Sequence, residues 1–389
     1  MITALTAAIM VACAVLFWPG AEPAQDFTVW HSYPEGSPQA RYIERVAIPS
    51  LESRASGVRG IVVHFGEGEI YDRIAGAEGE GALPDVVFLS PRDMARAGQL
   101  DVLMPLDNED GVAVMSEMAN SMVGDTVLAG MVDGKAYGLP VDASVQMLLY
   151  NPAILADAGL GPPGDMSAFW GILGAPAFSS GSPTGFLLPD TGMKSLAPFL
   201  WSTGGELADR KGEKAYGYLN SGRNSKVFEN FATAFVNGWI MVAGDKEDAL
   251  ARFAAGEAAM TLASTKDLAS FAAQHPSLRY EAAIFPAGDA GSVAVMDCNF
   301  AAITKDARKD FAGMFLAGVI TSDVMKTATA YPVAEEVIMS ARLLPEAFSA
   351  VATHEEYLAA IWQIADGSKS AQQALDHLAE RLDLQAARA

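Results

Sequence analysis

The stretch Asp133-Gly134-Lys135-Ala136-Tyr137-Gly138-Leu139-Pro140-Val141-Asp142-Ala143-Ser144-Val145-Gln146-Met147-Leu148-Leu149-Tyr150-Asn151 decides how the chain is read. Asp133-Gly134 is a turn pair, because glycine takes positive φ without a Cβ clash. From Val141 onward the side chains alternate. Val141, Ala143, Val145, Met147 and Leu149 fall on one face of a strand, and Asp142, Ser144 and Gln146 on the other. Asn151-Pro152 then opens a helix, with Asn as cap and Pro at the first position, where its missing N–H costs nothing. The pattern alone allows two readings. Either the strand has a wet outer face, or it crosses between two lobes with Asp142, Ser144 and Gln146 turned into the gap.

Working outward, the chain has 389 residues, 51% of them hydrophobic, which exceeds what one core ordinarily supports. Two compact lobes are therefore expected. No run is biased enough for disorder, and no repeat of fixed period is found. With 47 acidic against 26 basic residues the net charge is −21, a sign that opposes phosphate backbones and anionic membranes and speaks against nucleic acid as a partner. Cys13 lies in the N-terminal apolar run and Cys298 stands alone in the body, so a processed chain has neither an internal disulfide nor a cysteine metal cluster. Cys298 reads as a small buried hydrophobe. Ile2 to Trp18 is almost uninterruptedly apolar. Residues 1–25 are read as an export signal cut near Ala21 or Ala24, or as a retained membrane anchor, since no Lys or Arg precedes Arg41. A lipid on Cys13 is a third reading, with the cysteine placed mid-run.

Asp26–Trp30, Ile61–Phe65 and Val86–Leu89 read as strands, the last two as continuous apolar runs suited to a parallel sheet covered on both faces. Ser37-Pro38 caps a helix running towards Ala47, which Pro49 kinks or ends, and a short helix from about Glu69 gives way to a Gly-rich loop over Ala77–Gly81. Strands alternating with helices at this spacing give a doubly wound α/β lobe, whose ligands sit beyond the carboxyl ends of the strands. The loops His31–Gly36, Gly66–Glu69 and Ser90–Asp93 occupy those ends, which makes Tyr33, Glu35 and Ser90 candidate contacts. Further on, Ser221 caps a helix that Gly238 stops, and Ser264 with Asp267 and Ser370 with Gln373 form capping boxes.

Several segments resemble one family in order and spacing. These are the Asp133–Asn151 stretch, read as D-G-K-x-Y-G-x-P, Leu83-Pro84-Asp85-Val86-Val87, and Gly98-Gln99-Leu100 leading to Pro105-Leu106-Asp107. Phe253-Ala254-Ala255-Gly256-Glu257-Ala258-Ala259-Met260, Phe285-Pro286-Ala287-Gly288 and Tyr331-Pro332-Val333 complete the set. Over about residues 27 to 384 the chain is similar to the extracellular solute-binding proteins of sugar ABC transporters, the maltose-binding-protein-like family. The Asp165–Leu173 segment departs from that family's T-W-x-E-L helix. The resemblance implies an α/β, two-lobed periplasmic-binding-protein-like fold of type II with an interlobe cleft. It implies an N-terminal lobe of 26–139 and 263–309, and a C-terminal lobe of 140–262 and 310–389. It also implies hinges near Leu139–Ala143 and Leu262–Ser264, and a cleft loop at Met296-Asp297-Cys298-Asn299.

Sugars offer flat C–H faces to aromatic rings and rims of hydroxyls to carboxylates and amides. On that chemistry Tyr33, Trp201, Trp239 and Tyr331 are the aromatic candidates. Glu35, Asp142, Asp297 and Asn299 are the polar ones, with Ser90, Ser144 and Gln146 in support, while Trp30 and Trp170 are assigned to the core. Arg92 is the only basic residue in the three loops, so no basic pocket is expected, which disfavours a glycerol-phosphate ligand. Enzyme motifs such as G-x-S-x-G, H-E-x-x-H and G-x-x-x-x-G-K-[ST] are missing from the sequence, and Asp190-Thr191-Gly192 reads as a helix-entry turn. The expectation is an exported, periplasmic or cell-surface monomer without cofactor or metal. It binds a sugar or oligosaccharide and delivers it to ABC permease transmembrane subunits. Alternatives are a non-sugar solute such as glycerol phosphate or polyamine on the same fold, or an enzyme on a bilobal scaffold.

Overall fold

The computed structural model describes residues 24–66, 68–106, 130–132, 135–179, 183–210, 212–322, 324–325, 340–345 and 354–387. The N-terminal apolar run with Cys13, the Asp133-Gly134 turn, Asp107 and Tyr331 lie outside the described residues.

Eleven strands are described: β1 (Gln25–His31), β2 (Val58–His64), β3 (Val86–Leu89), β4 (Met131–Val132), β5 (Lys135–Ala136), β6 (Gly138–Tyr150), β7 (Thr184–Leu188), β8 (Ile240–Val242), β9 (Ala258–Ser264), β10 (Glu281–Ala283) and β11 (Met296–Ile303). The main sheet runs β2-β1-β3-β11-β6-β9-β7-β8. β1, β2 and β3 are parallel, as expected, and β11 joins antiparallel with Ala301 opposite Phe88. β6 then serves both halves of the molecule. Its first part pairs with β11 and its last, Gln146–Tyr150, with β9. Because β6 is central and helices cover both faces, its polar and apolar positions are nearly all buried.

Each lobe has its own core. In the first, Phe27 and Phe88 pack on Phe315 at ring separations of 5.5 and 6.4 Å. Asp85, which precedes β3, ties the sheet to the return of the chain. It accepts from the Thr28 amide at 2.7 Å and from Arg308 through the backbone N (2.9 Å), Nε (3.0 Å) and Nη2 (2.6 Å). In the second lobe Phe199 meets Phe231 and Phe285 edge-on at 4.9 and 4.8 Å, beneath helices Gly222–Val236, His354–Ala365 and Ala371–Ala386.

Three local expectations are corrected. The helix from Pro38 does not end at Pro49 but continues to Arg54, with a π-turn at Ile43–Ala47 immediately ahead of the proline, which has no N–H to donate there. Ala77–Glu80 is the last turn of helix Ile70–Glu80, closed by Gly81 at φ 65°. The expected lobe boundaries also move. Helix Lys309–Thr321 buries Ala312, Phe315, Leu316 and Val319 in the first-lobe core, whereas helix Thr265–Gln274 and β10 pack on the second-lobe half of β6. An apolar stripe shows that a helix packs, but not on which sheet.

Candidate functional site

A cavity of about 1120 Å³ lies between the lobes. Its first-lobe wall is made by the ends of β1, β2 and β3, as the strand-end rule requires. Tyr33, Glu35 and Ser90 line it, and His64, Asp72, Phe88 and Arg96, which the sequence reading did not single out, join them. The Ser90 Oγ accepts from the Asp93 amide at 3.1 Å and donates to its carboxylate at 2.9 Å, fixing the first turn of helix Pro91–Gln99.

The floor is formed where β6 and β11 cross. Val141 lies opposite Asn299 and Ser144 opposite Asp297, so Asp142 and Ala143 together face Cys298 in a β-bulge. Asp142 takes φ 57°, a left-handed conformation that aspartate tolerates better than most side chains. The bulge turns its carboxylate inward. Gln39 Nε2 donates to Oδ1 at 2.9 Å, and Asn299 Nδ2 and Lys266 Nζ donate to Oδ2 at 3.1 and 3.2 Å. Three separate segments thus converge on one buried carboxylate. Ser144, Asp297 and Asn299 line the cavity beside it.

Tyr33 is 4% exposed, and its buried hydroxyl faces Asn299 and the Asp142 carboxylate. Burial, with the Asp142 charge adding, pushes that phenol well above its ordinary pKa, so it remains a donor. Next to it, His31 accepts from the Tyr33 amide at 3.2 Å. Burial, and then the neighbouring His64, bring the His31 pKa down to about 4.

The second-lobe wall carries three lysines, each with a carboxylate partner. Lys194 pairs with Asp297, Lys246 with Asp267 at 2.8 Å, and Lys266 with Asp142 at 3.2 Å. Burial opposes the Lys246 charge, but Asp267 and Glu247 outweigh it and hold the ammonium above its ordinary pKa. These lysines sit in the first turns of helices that follow β7, β8 and β9. The same strand-end rule that located the first-lobe loops would have found them had it been applied to the second lobe.

Other expectations about the wall are corrected. Trp201 is 2% exposed in the second-lobe core, with the Arg342 guanidinium 4.6 Å from its ring. Trp239 packs on the same core and against Gly174, and neither tryptophan lines the cavity. Gln146 is buried between strands and does not line it either. The expectation of no basic pocket also fails, because Arg92 is joined by Arg96, Lys194, Lys246 and Lys266. Asp190-Thr191-Gly192 is a helix-entry turn, with Asp190 accepting from the Gly192 amide at 2.6 Å and Thr191 donating to the His354 carbonyl at 2.7 Å. Among the described residues no helix is long and apolar enough to cross a membrane, and no group of three His, Cys, Asp or Glu could hold a metal.

Comparison with known proteins places these features in context. Residues 51–333 match the family model of the bacterial extracellular solute-binding proteins. A binding protein of Brucella abortus (strain 2308) is 23% identical over 219 residues, covering 54% of this chain and 52% of that protein, so the chain spans about half the length of the curated relatives it matches. Among solved structures, the sugar-binding protein MalE of Xanthomonas citri superposes with a TM-score of 0.78 at 15% identity, over 94% of this chain and 98% of that one. The cyclic alpha-maltosyl-1,6-maltose binding protein of Arthrobacter globiformis gives 0.73 at 17% identity, over 94% and 100%.

Proposed function

Because the chain belongs to the bacterial extracellular solute-binding proteins, we propose that it captures a saccharide between its lobes and hands it to the membrane subunits of an ABC importer. The observation that carries this reading is the cleft itself, whose walls come from the strand ends of both lobes and whose floor is the β6–β11 crossing. The similar solved structures are named for binding sugars, which supports the saccharide class.

Capture without chemistry follows a simple sequence. Ligand settles on one wall, the crossing segments near Leu139–Ala143 and Leu262–Ser264 rotate, and the opposite wall closes over it. The free energy for closure is the ligand's differential affinity for the closed form. Tyr33, Glu35, Ser90, Ser144, Asp297 and Asn299 supply donors and acceptors for hydroxyls, and Asp142 holds the floor rigid. Export to the cell exterior, a monomeric state and the permease contact belong to this proposal.

The test is a thermal-shift and calorimetric screen of the purified chain against a saccharide panel. Ligand that binds only the folded state stabilises it by about 2.7 kcal/mol at one hundred times Kd. The reading requires a saccharide that raises the melting temperature, binds once per chain and is recovered unchanged. Failure of every saccharide to bind, or recovery of an altered compound, contradicts it.

A further inference from the structure

The charge presented to the cleft differs from the charge carried by the residues around it. Six carboxylates and five Lys or Arg side chains line it, which suggests near neutrality. Exposure separates the two signs. The side chains of Lys194, Lys246 and Lys266 are 48%, 46% and 42% exposed, whereas the Asp267 and Asp142 partners behind two of them are 16% and 0% exposed. An ammonium has three donors, so a lysine bonded to one carboxylate still offers N–H groups on its open side. On the facing wall Arg92 and Arg96 are exposed, and Arg92 has no ion pair among the described residues. Arg96 lies over the Tyr71 ring, 3.5 Å from its centroid. The exposed anions are fewer, namely Glu35, Asp72 and Asp297.

Position within the helices adds to this. Arg92, Lys194, Lys246 and Lys266 all fall in first turns, of helices Pro91–Gln99, Met193–Ser202, Lys246–Ala254 and Thr265–Gln274. A helix N-terminus is already the positive end of the macrodipole, so a cation there is locally unfavourable. Four such placements around one cavity, in a chain of net charge −21, concentrate positive potential where a ligand sits. The buried Tyr33 hydroxyl, neutral beside Asn299, sits at the floor. Aromatic platforms are weak by contrast. Tyr33 and Phe88 are 4% and 2% exposed, and no tryptophan is among the described lining residues, so the described part of the wall opens little ring face for stacking a neutral sugar.

We infer that the ligand is an anionic saccharide, a sugar carrying carboxylate or phosphate, whose charge lies against Lys194, Lys246, Lys266 and Arg92. This rests on the cleft being the capture site. The cavity is larger than a bare inorganic anion needs, and its serines and Asn299 suit hydroxyls, which favours a charged sugar over a free oxyanion.

The test is calorimetric titration of the full chain with glucuronate, galacturonate, their dimers, hexose 6-phosphates, inorganic phosphate, glucose, maltose and spermidine at two ionic strengths. The expected result is binding of a uronate or a sugar phosphate, weakened by salt, with the preferred arm identifying the anionic group. Arg92→Gln and Lys246→Gln are expected to lower that affinity about tenfold or more, the loss of one charge-assisted hydrogen bond. Arg92 is exposed and without an ion pair among the described residues, so its variant keeps the test valid if Lys246→Gln folds poorly. Salt-independent binding of glucose or maltose alone overturns this inference while leaving saccharide capture intact. Inorganic phosphate binding as tightly as any sugar phosphate overturns the saccharide part. Binding of spermidine alone overturns both.

Discussion

Asp142 illustrates what one residue contributes. Its left-handed φ of 57° makes the bulge, and its buried carboxylate joins Gln39, Asn299 and the half-exposed Lys266 at the cavity floor. Truncation takes an acceptor from the Gln39 and Asn299 amides while the half-exposed Lys266 turns to solvent, so Asp142→Ala is expected to lower stability by about 1–3 kcal/mol, the cost of buried polar groups left short of a partner. Asp142→Asn keeps the shape and the tolerance for positive φ, so its loss should be smaller, and urea denaturation of both variants measures the difference. His31 gives a pH signature. Its folded pKa of about 4 lies below the ordinary 6.5, so the unfolded chain takes up the proton first. Its contribution is fully present above pH 6.5 and declines as the pH falls towards about 4. Urea midpoints measured across that window should fall more steeply for the parent protein than for His31→Gln. At this scale the sequence was informative where a residue type met a strand end, as at Tyr33 and Ser90. It misled for Trp201, because a tryptophan near the end of a helix looks the same whether its ring faces a cleft or a core.

Elements were legible wherever local chemistry sets them. Ser264 with Asp267 and Ser370 with Gln373 form the capping boxes their spacing implied, and Asn151 and Ser221 cap as their positions suggest. Ser370→Ala should therefore cost about 1 kcal/mol, seen as a lower denaturation midpoint with saccharide affinity unchanged, since Ser370 is far from the cavity lining. The bulge in β6 was not legible. Its extra residue is defined by the partner strand β11, more than 150 residues away, and one such insertion changes which side chains share a face. Asp142 and Ser144 reach the cavity, whereas Gln146, further along β6 where the strand pairs with β9, is buried between strands. The first-turn lysines were not singled out from the sequence, because their meaning depends on where their helices begin relative to the second sheet.

At the scale of the molecule, chain length pointed to two lobes, alternation of strands and helices to an α/β sheet in the first, and the order of motifs placed the crossing strand. The return path was misjudged. Helix Lys309–Thr321 rejoins the first lobe, secured by Arg308 on Asp85, and that bond connects residues 223 apart. The central claim is that both lobes close on one ligand in the cavity between them. Hydrogen–deuterium exchange with and without a saturating saccharide tests this most directly. The account predicts simultaneous protection of peptides from both walls, Ser32–Glu35 and Ser90–Asp93 on one side and the first turns holding Lys194, Lys246 and Lys266 on the other. Protection confined to one lobe, or to an outer surface remote from Asp142, would contradict it.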